Sequence, residues 1–265
     1  MTVNNICRFV KDMKKYFRYS VRLSRANLHT EVANAYLDWL WWLIEPFSMM
    51  IIYAVIFGIV FQTTEEYFTA FLFIGLTVWN FFTRSVSTSV KMIRGNLSII
   101  SRIYMPKYIL LFSEMMVNGF KMLISFIVVI VMMMIYRVPV TANVLYIVPI
   151  MIDLFLVTFA VGVVLMHYGV FVRDLSYIVE IILKMLMYLT GTFYSVAKRI
   201  PAPYGEIMEK VNPIAYFIAA TRNVLLYGQS VSWIGLVIWA VLACVILMIG
   251  VSLIYRYENS YVKVV

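Results

Sequence analysis

Apolar runs of membrane-crossing length, separated by short basic stretches, constrain this chain more than any other feature. They occupy residues 39–61, 67–82, 115–136, 144–172, 177–194 and 233–255. A helix needs about 20 residues to cross a hydrocarbon core. The second run continues through the small, polar SVSTSV of residues 85–90, and the fourth is long enough to require tilt or an extension into water. Only 13% of the residues are charged and 63% are hydrophobic, with mean hydropathy +0.90. A soluble domain carries about 25% charge, so this chain cannot coat a water-facing sphere. Disorder needs the opposite composition. The sequence therefore predicts an all-α polytopic membrane protein with six transmembrane helices, forming one domain over residues 1–265. No length remains for a folded soluble catalytic domain.

Charge sets the predicted orientation. The net charge is +9. Seven cations precede the first run, and Lys91, Arg94, Arg102 and Lys107 follow the second. Arg173 follows the fourth run, and Arg256 and Lys263 follow the last. The alternate loops hold Arg137, Lys198, Arg199, Lys210 and Arg222, while Arg84, Lys121 and Lys184 lie in or beside runs. Positive-inside bias places both termini in the cytoplasm, and an even span number agrees. In so apolar a chain the excess of cations points to anionic membrane lipids, not to nucleic acid. Cys7 and Cys244 sit at distant places in this topology, so no disulfide framework is implied. No cleavable signal peptide is expected, because a long polar lead precedes the first run.

Four segments depart from plain spans. Residues 14–37 mix Tyr16, Phe17, Val21, Leu23 and Leu28 with Arg and Lys, the pattern of an interfacial amphipathic helix. Three Trp within residues 39–42 form an interfacial belt, and Pro46 loosens the helix one turn further in. Glu45 at that depth is costly unless paired or hydrated. Residues 91–107 (KMIRGNLSIISRIYMPK) break at Gly95-Asn96, then present a short apolar helix closed by Pro106. Such a helix fits a knob docking into a groove on another protein, or one lying on the membrane. Residues 195–232 are too apolar for a free loop and too interrupted for a span: Pro201, Pro203, Gly205 and Pro213 cut them. Residues 214–226 read as a helix opened by Asn212-Pro213 and stopped by Gly228. Two short re-entrant half-helices dipping in from the outer face are predicted there.

No catalytic constellation emerges. There are two histidines, His29 and His167, and a lone His in a span is a packing or hydrogen-bonding group before it is a ligand. No glycine-rich phosphate loop or Walker lysine occurs. Asp153 and the i, i+4 pair Glu180/Lys184 read as structural. No cofactor or metal is expected on this chain.

Five stretches, taken together and in order, resemble the permease subunit of type-2 ABC exporters, in the branch that exports polysaccharide, O antigen and wall teichoic acid. They are YLDWLWWLIEPFSMMIIYAVIFG (36–58), FLFIGLTVWNFF (71–82), NLSIISRIYMPKYILL (96–111), GVFVRDLSYIVE (169–180) and NPIAYFIAATRNVLLYG (212–228). The resemblance covers nearly the whole chain. It implies a six-span homodimer in a bacterial cytoplasmic membrane, paired with two copies of a cytoplasmic ATPase that bind ATP and Mg. It implies a coupling helix near residues 94–104, carried by Arg94, Asn96, Leu97, Ile100, Arg102 and Tyr104, with Arg173 and Asp174 near the same face. It implies a translocation path along the first and fifth spans, to which this chain brings Tyr53, Phe57, Tyr188, Phe193 and Tyr194. It implies an outer gate built around Pro201, Asn212, Pro213 and Arg222. The chain departs from the resemblance at Thr190-Gly191-Thr192, where many relatives carry Ser-Pro. The implied cargo is a lipid-linked glycan, and aromatic faces would give sugar rings a tolerant track. The alternatives are a drug or small-lipid exporter of the same superfamily, a membrane enzyme acting on lipid-linked sugar, and a non-transporting scaffold.

Overall fold

The structure is a computed structural model that describes residues 2–33, 40–56, 65–100, 104–258 and 260–261. Every described element is a helix. In chain order these are α1 (Thr2–Val32), α2 (Trp41–Ala54), α3 (Phe68–Gly95), α4 (Leu97–Ile100), α5 (Tyr108–Ile135), α6 (Ile147–Phe171), α7 (Leu175–Leu189), α8 (Val196–Arg199), α9 (Tyr204–Val211), α10 (Pro213–Leu225) and α11 (Trp233–Tyr257). A 3-10 turn at Ala142–Tyr146 runs directly into α6.

Three helices are long and apolar enough to cross a membrane: Tyr108–Ile135, Ala142–Phe171 and Trp233–Tyr257. Their surfaces remain apolar where they leave the protein, as at Leu123, Ile127, Ile152, Val237 and Val241. In water this would drive aggregation; in lipid it is the favoured surface. The chain is therefore a multi-pass membrane protein. α3 has 28 residues but carries Arg84 and Lys91 along its length. α7 has 15 residues, short of a full crossing; α2 has 14, and residues 57–61 of the expected first span lie outside the described residues. The expected span at 67–82 and its extension through 85–90 are one unbroken helix, and the expected span at 115–136 starts seven residues earlier, at Tyr108.

α6 is the central post, packed mainly against α11 and α3. The α3–α6 crossing depends on Gly169, because a Cβ there would overlap the Val90 carbonyl. Small residues let transmembrane backbones approach in this way. The core continues through Trp79, Phe82, Ile109, Met115, Phe159 and Phe217. α1 lies along α5 and touches α11. It starts twelve residues before the expected segment, and its stripe of Phe9, Met13, Tyr16, Ser20 and Leu23 faces the bundle. That spacing is the helical repeat of a one-sided apolar face.

The residues between α7 and α11 form three short helices, α8, α9 and α10, where the interrupted pattern predicted two. Asn212 caps α10: its side-chain oxygen accepts from the backbone N–H groups of Ile214 and Ala215, and Pro213 occupies the first turn. Gly228 takes the positive φ (61°) that ends the segment.

Candidate functional site

Three groups of polar side chains are built into this apolar bundle, one at each end and one between them.

At the α1 end, residues distant in sequence converge on one network. The Arg8 guanidinium donates to the Tyr104 hydroxyl (2.7 Å), lies 3.7 Å from Glu258 and 3.8 Å from Asp12, and covers the Tyr255 ring at 4.2 Å. Lys107 donates to Glu258 at 2.9 Å, and Tyr104 donates to the same carboxylate. Asp12 accepts from the hydroxyls of Tyr108 and Tyr255, each at 3.1 Å. Burial and the neighbouring Glu258 carboxylate both push the Tyr104 hydroxyl upward from its usual range. The network joins α1, the segment after α4, the start of α5 and the end of α11. His167 lies nearby in the packing, bonded through Nδ1 to the Tyr261 hydroxyl at 2.7 Å, a hydrogen-bonded core histidine as its sequence setting suggested.

The residues expected in a coupling helix divide among these elements. Arg94 is the last basic residue of α3 and donates to the Val170 carbonyl at 2.6 Å; it does not belong to the following helix. Asn96 breaks the chain direction and bonds back to the Met92 carbonyl. The helix that follows is one turn, α4, with Leu97 at its start and buried Ile100 at its end. Arg102 lies outside the described residues. Tyr104 is exposed over most of its ring and is held by its hydroxyl. Arg173 lines a crevice with Lys91 and Arg94, and Asp174 sits at the N-terminus of α7.

Midway along the bundle, Glu45 of α2 pairs with Arg84 of α3, and Glu31 of α1 pairs with Lys121 of α5 at 2.6 Å. Glu45 thus has the partner its depth requires. Sequence reading placed Glu45, Arg84 and Lys121 in or beside spans, but no spacing rule links positions 39 or 90 residues apart. Glu180 and Lys184 pair at 3.0 Å as their i, i+4 spacing suggested. Asp153 is buried, and neither carboxylate oxygen finds a hydrogen-bond partner among the described residues.

At the opposite end, Arg222 is 4% exposed and makes no salt bridge to a carboxylate among the described residues. Its guanidinium donates from Nε to the Phe71 carbonyl (3.0 Å), from Nη1 to Gly191 (2.8 Å) and from Nη2 to Thr192 (2.7 Å). It also lies over the Phe71 ring at 3.4 Å. One side chain of α10 thereby fastens the start of α3 to the turn after α7, the turn where Thr190-Gly191-Thr192 stands. Lys198 reaches Glu65 at 2.7 Å, and that hydrogen bond raises its pKa above the ordinary lysine value. Pro201 leads into α9.

The expected path aromatics are placed unevenly. Tyr188 is largely exposed, whereas Phe193 is buried against Leu72 and Leu76. Tyr53 meets Phe193 with ring centroids 5.0 Å apart, and the Tyr194 hydroxyl donates to the Tyr188 carbonyl at 2.6 Å. Phe57 lies outside the described residues.

The chain is 23% identical over 250 residues to an "O-antigen export system permease protein RfbA" of Klebsiella pneumoniae, covering 94% of this chain and 95% of that protein. It is 24% identical over 218 residues to a protein of the same name from Myxococcus xanthus, covering 82% and 84%. Residues 22–226, which take in the last third of α1 and everything from α2 through α10, match the ABC-2 type transporter family, and the chain belongs to that family.

Proposed function

We propose that this chain is the membrane-spanning subunit of an ATP-driven exporter that moves a lipid-linked polysaccharide across a bacterial cytoplasmic membrane. The observation that carries the reading is likeness over 94% of the chain to a permease named for O-antigen export. The family is one of transport subunits, and membership implies an ABC ATPase partner on another chain. A wall teichoic acid is the other polymer chemistry this reading admits.

The working unit is a homodimer carrying two ATPase copies, which hold ATP and Mg. Six spans are α2, α3, α5, the helix running from residue 142 through α6, α7, and α11. The 15 residues of α7 reach only about 22 Å, and α8, α9 and α10 complete that thickness as re-entrant half-helices. The α1 end faces the cytoplasm, where the cation excess of the sequence lies. There α1 is the interfacial helix and α4 is the docking knob. ATPase closure presses on α4. The Arg8–Tyr104–Glu258–Lys107 network ties the adjoining segment to α1 and α11, so the push is delivered to helices and is not absorbed by a loop. At the outer end, the Arg222 clasp holds the gate until that motion reaches it.

Two measurements test this. Tagged protein purified from native membranes in mild detergent should bring a stoichiometric ATPase and a sugar-bearing lipid, resolved by mass spectrometry of protein and extracted lipid. Recovery of the ATPase with no sugar-lipid would favour a drug or small-lipid exporter, and recovery of neither would end the transporter reading. Leu97→Asp should leave the folded chain intact but separate ATP hydrolysis from export; unchanged export would refute the role given to α4.

A further inference from the structure

A cavity of about 240 Å³ lies between α2, α3 and α5. It is smaller than a drug-sized pocket, which runs to about 300–1,000 Å³. Its depth follows from helix arithmetic. Arg84, at its rim, is sixteen residues along α3 from Phe68, about 24 Å at 1.5 Å per residue. Trp41 and Trp42, an interfacial pair, open α2 at the same side. The cavity therefore sits within the hydrocarbon zone, close to the interface at the α1 side.

Its chemistry is unusual for that depth. Trp42 and Tyr53 supply aromatic faces, and Trp42 is steadied edge-on by Phe120 at 5.8 Å. Asn80 and Asn118 supply amide groups, whereas the Thr77 hydroxyl is fully buried behind the wall. Pro46 lacks an N–H, so the Trp42 carbonyl loses its usual helical donor. A polar group held in hydrocarbon without a partner is costly, so the amides of this wall favour an occupant that exchanges hydrogen bonds with them.

The charges narrow the class. Arg84 is paired with Glu45, and Lys121 with Glu31, so the two cations are already neutralised. A phosphate would have to displace a carboxylate. An acyl chain or apolar drug would leave the Asn80 amide and the ion pair desolvated without compensation. A neutral sugar ring meets the set: its C–H face stacks on Trp42 or Tyr53, and its hydroxyls both donate and accept. Glu45 accepts, the Arg84 guanidinium donates, and Asn80 does both.

Two further cavities lie along α3 toward the α4 end. Trp79 and Met187 also border a second, of about 330 Å³, between α3 and α7. Lys91 and Ser176 border both that one and a third, of about 410 Å³, beside Arg94 and Arg173. Separate cavities with polar linings thus succeed one another along α3 from the α4 end to the sugar-sized one.

We infer that the cavity lined by Trp42, Asn80 and the Glu45–Arg84 pair binds one neutral monosaccharide unit of the transported glycan as it enters. The inference rests on the exporter reading and adds a location and a ligand class to it.

The test uses photo-crosslinking in living cells that carry the full exporter. p-Benzoylphenylalanine replaces Asn80 in one strain, Tyr188 on the proposed path in a second, and lipid-facing Leu123 in a third. Adducts are identified by mass spectrometry. The expected result is a glycan-bearing adduct at position 80 and at 188, and phospholipid alone at 123. Phospholipid alone at 80, with glycan at 188, overturns the sugar site and leaves the exporter standing. Glycan at neither position, in cells whose surface polymer persists without this chain, overturns the exporter reading itself. A second variant guards against a folding defect at position 80. In the purified complex, Trp42→Leu, which removes the stacking face, should raise the concentration of host glycan-lipid that half-stimulates the ATPase about three- to tenfold, with the maximal rate unchanged. An unchanged half-stimulating concentration overturns the site.

Discussion

Replacing Arg222 with Met is the sharpest test of how the α10 end is held. The guanidinium serves three carbonyls in one plane, and each charge-assisted bond contributes about 1.5–3 kcal/mol. These contributions do not simply add. The Phe71 carbonyl lies within α3 and keeps a helical partner, whereas those of Gly191 and Thr192 follow the end of α7 and depend on Arg222. Met fills the volume but orphans these two, at about 1–3 kcal/mol each. It also forfeits the stacking on Phe71, about 0.5–2 kcal/mol. Relief of the buried charge's desolvation works in the other direction. The expected net loss is about 3 kcal/mol, read from unfolding in mixed micelles titrated with sodium dodecyl sulfate. Arg222→Lys separates charge from shape: a compact ammonium cannot match three carbonyls arranged for a planar fork, so it should recover less than half of the loss. A Met variant within 1 kcal/mol of the parent would refute the clasp. A Lys variant equal to the parent would show that charge suffices and the fork is immaterial.

Other expectations follow from the same structure. Glu258→Gln leaves Lys107, which is 6% exposed at its side chain, without its counter-charge; the expected loss is about 3 kcal/mol, with reduced coupling of ATP hydrolysis to export in the assembled transporter. Gly169→Ala places a methyl on the Val90 carbonyl, a contact that no side-chain rotation relieves, and should cost about 3 kcal/mol in the micelle titration.

Much of the fold was legible because its signals are local. Apolar run length marked α5, α6 and α11, and Asn212-Pro213 with Gly228 marked α10 to within a residue or two. The start of α5 was misplaced because Lys107, Tyr108 and Ser113 look like loop residues in sequence. In the structure Lys107 is buried by Glu258, and Tyr108 by Asp12 and Tyr255. The same cause extended α1 toward the N-terminus: Arg8 and Asp12 look solvated until the end of α11 arrives beside them. Arg222 was singled out only through a resemblance, since nothing in its neighbouring residues foretells three carbonyls from two other helices.

These partners share a physical reason for being non-local. In hydrocarbon the apolar surfaces of helices gain little from each other relative to lipid. Helices that must hold position in such a medium need contacts that lipid cannot replace, which means hydrogen bonds and ion pairs between elements. The three polar groups meet that need at both ends and in the middle of the bundle, and each joins helices distant in sequence. The Arg222 clasp and the Arg8–Glu258 network are composed of individually breakable bonds, whereas the α3–α6 crossing at Gly169 is a backbone contact that sterics fix. Motion should therefore concentrate at the two polar ends, around a rigid α3–α6–α11 post. That division is the mechanical requirement for a permease whose drive is applied at one face and whose gate lies at the other.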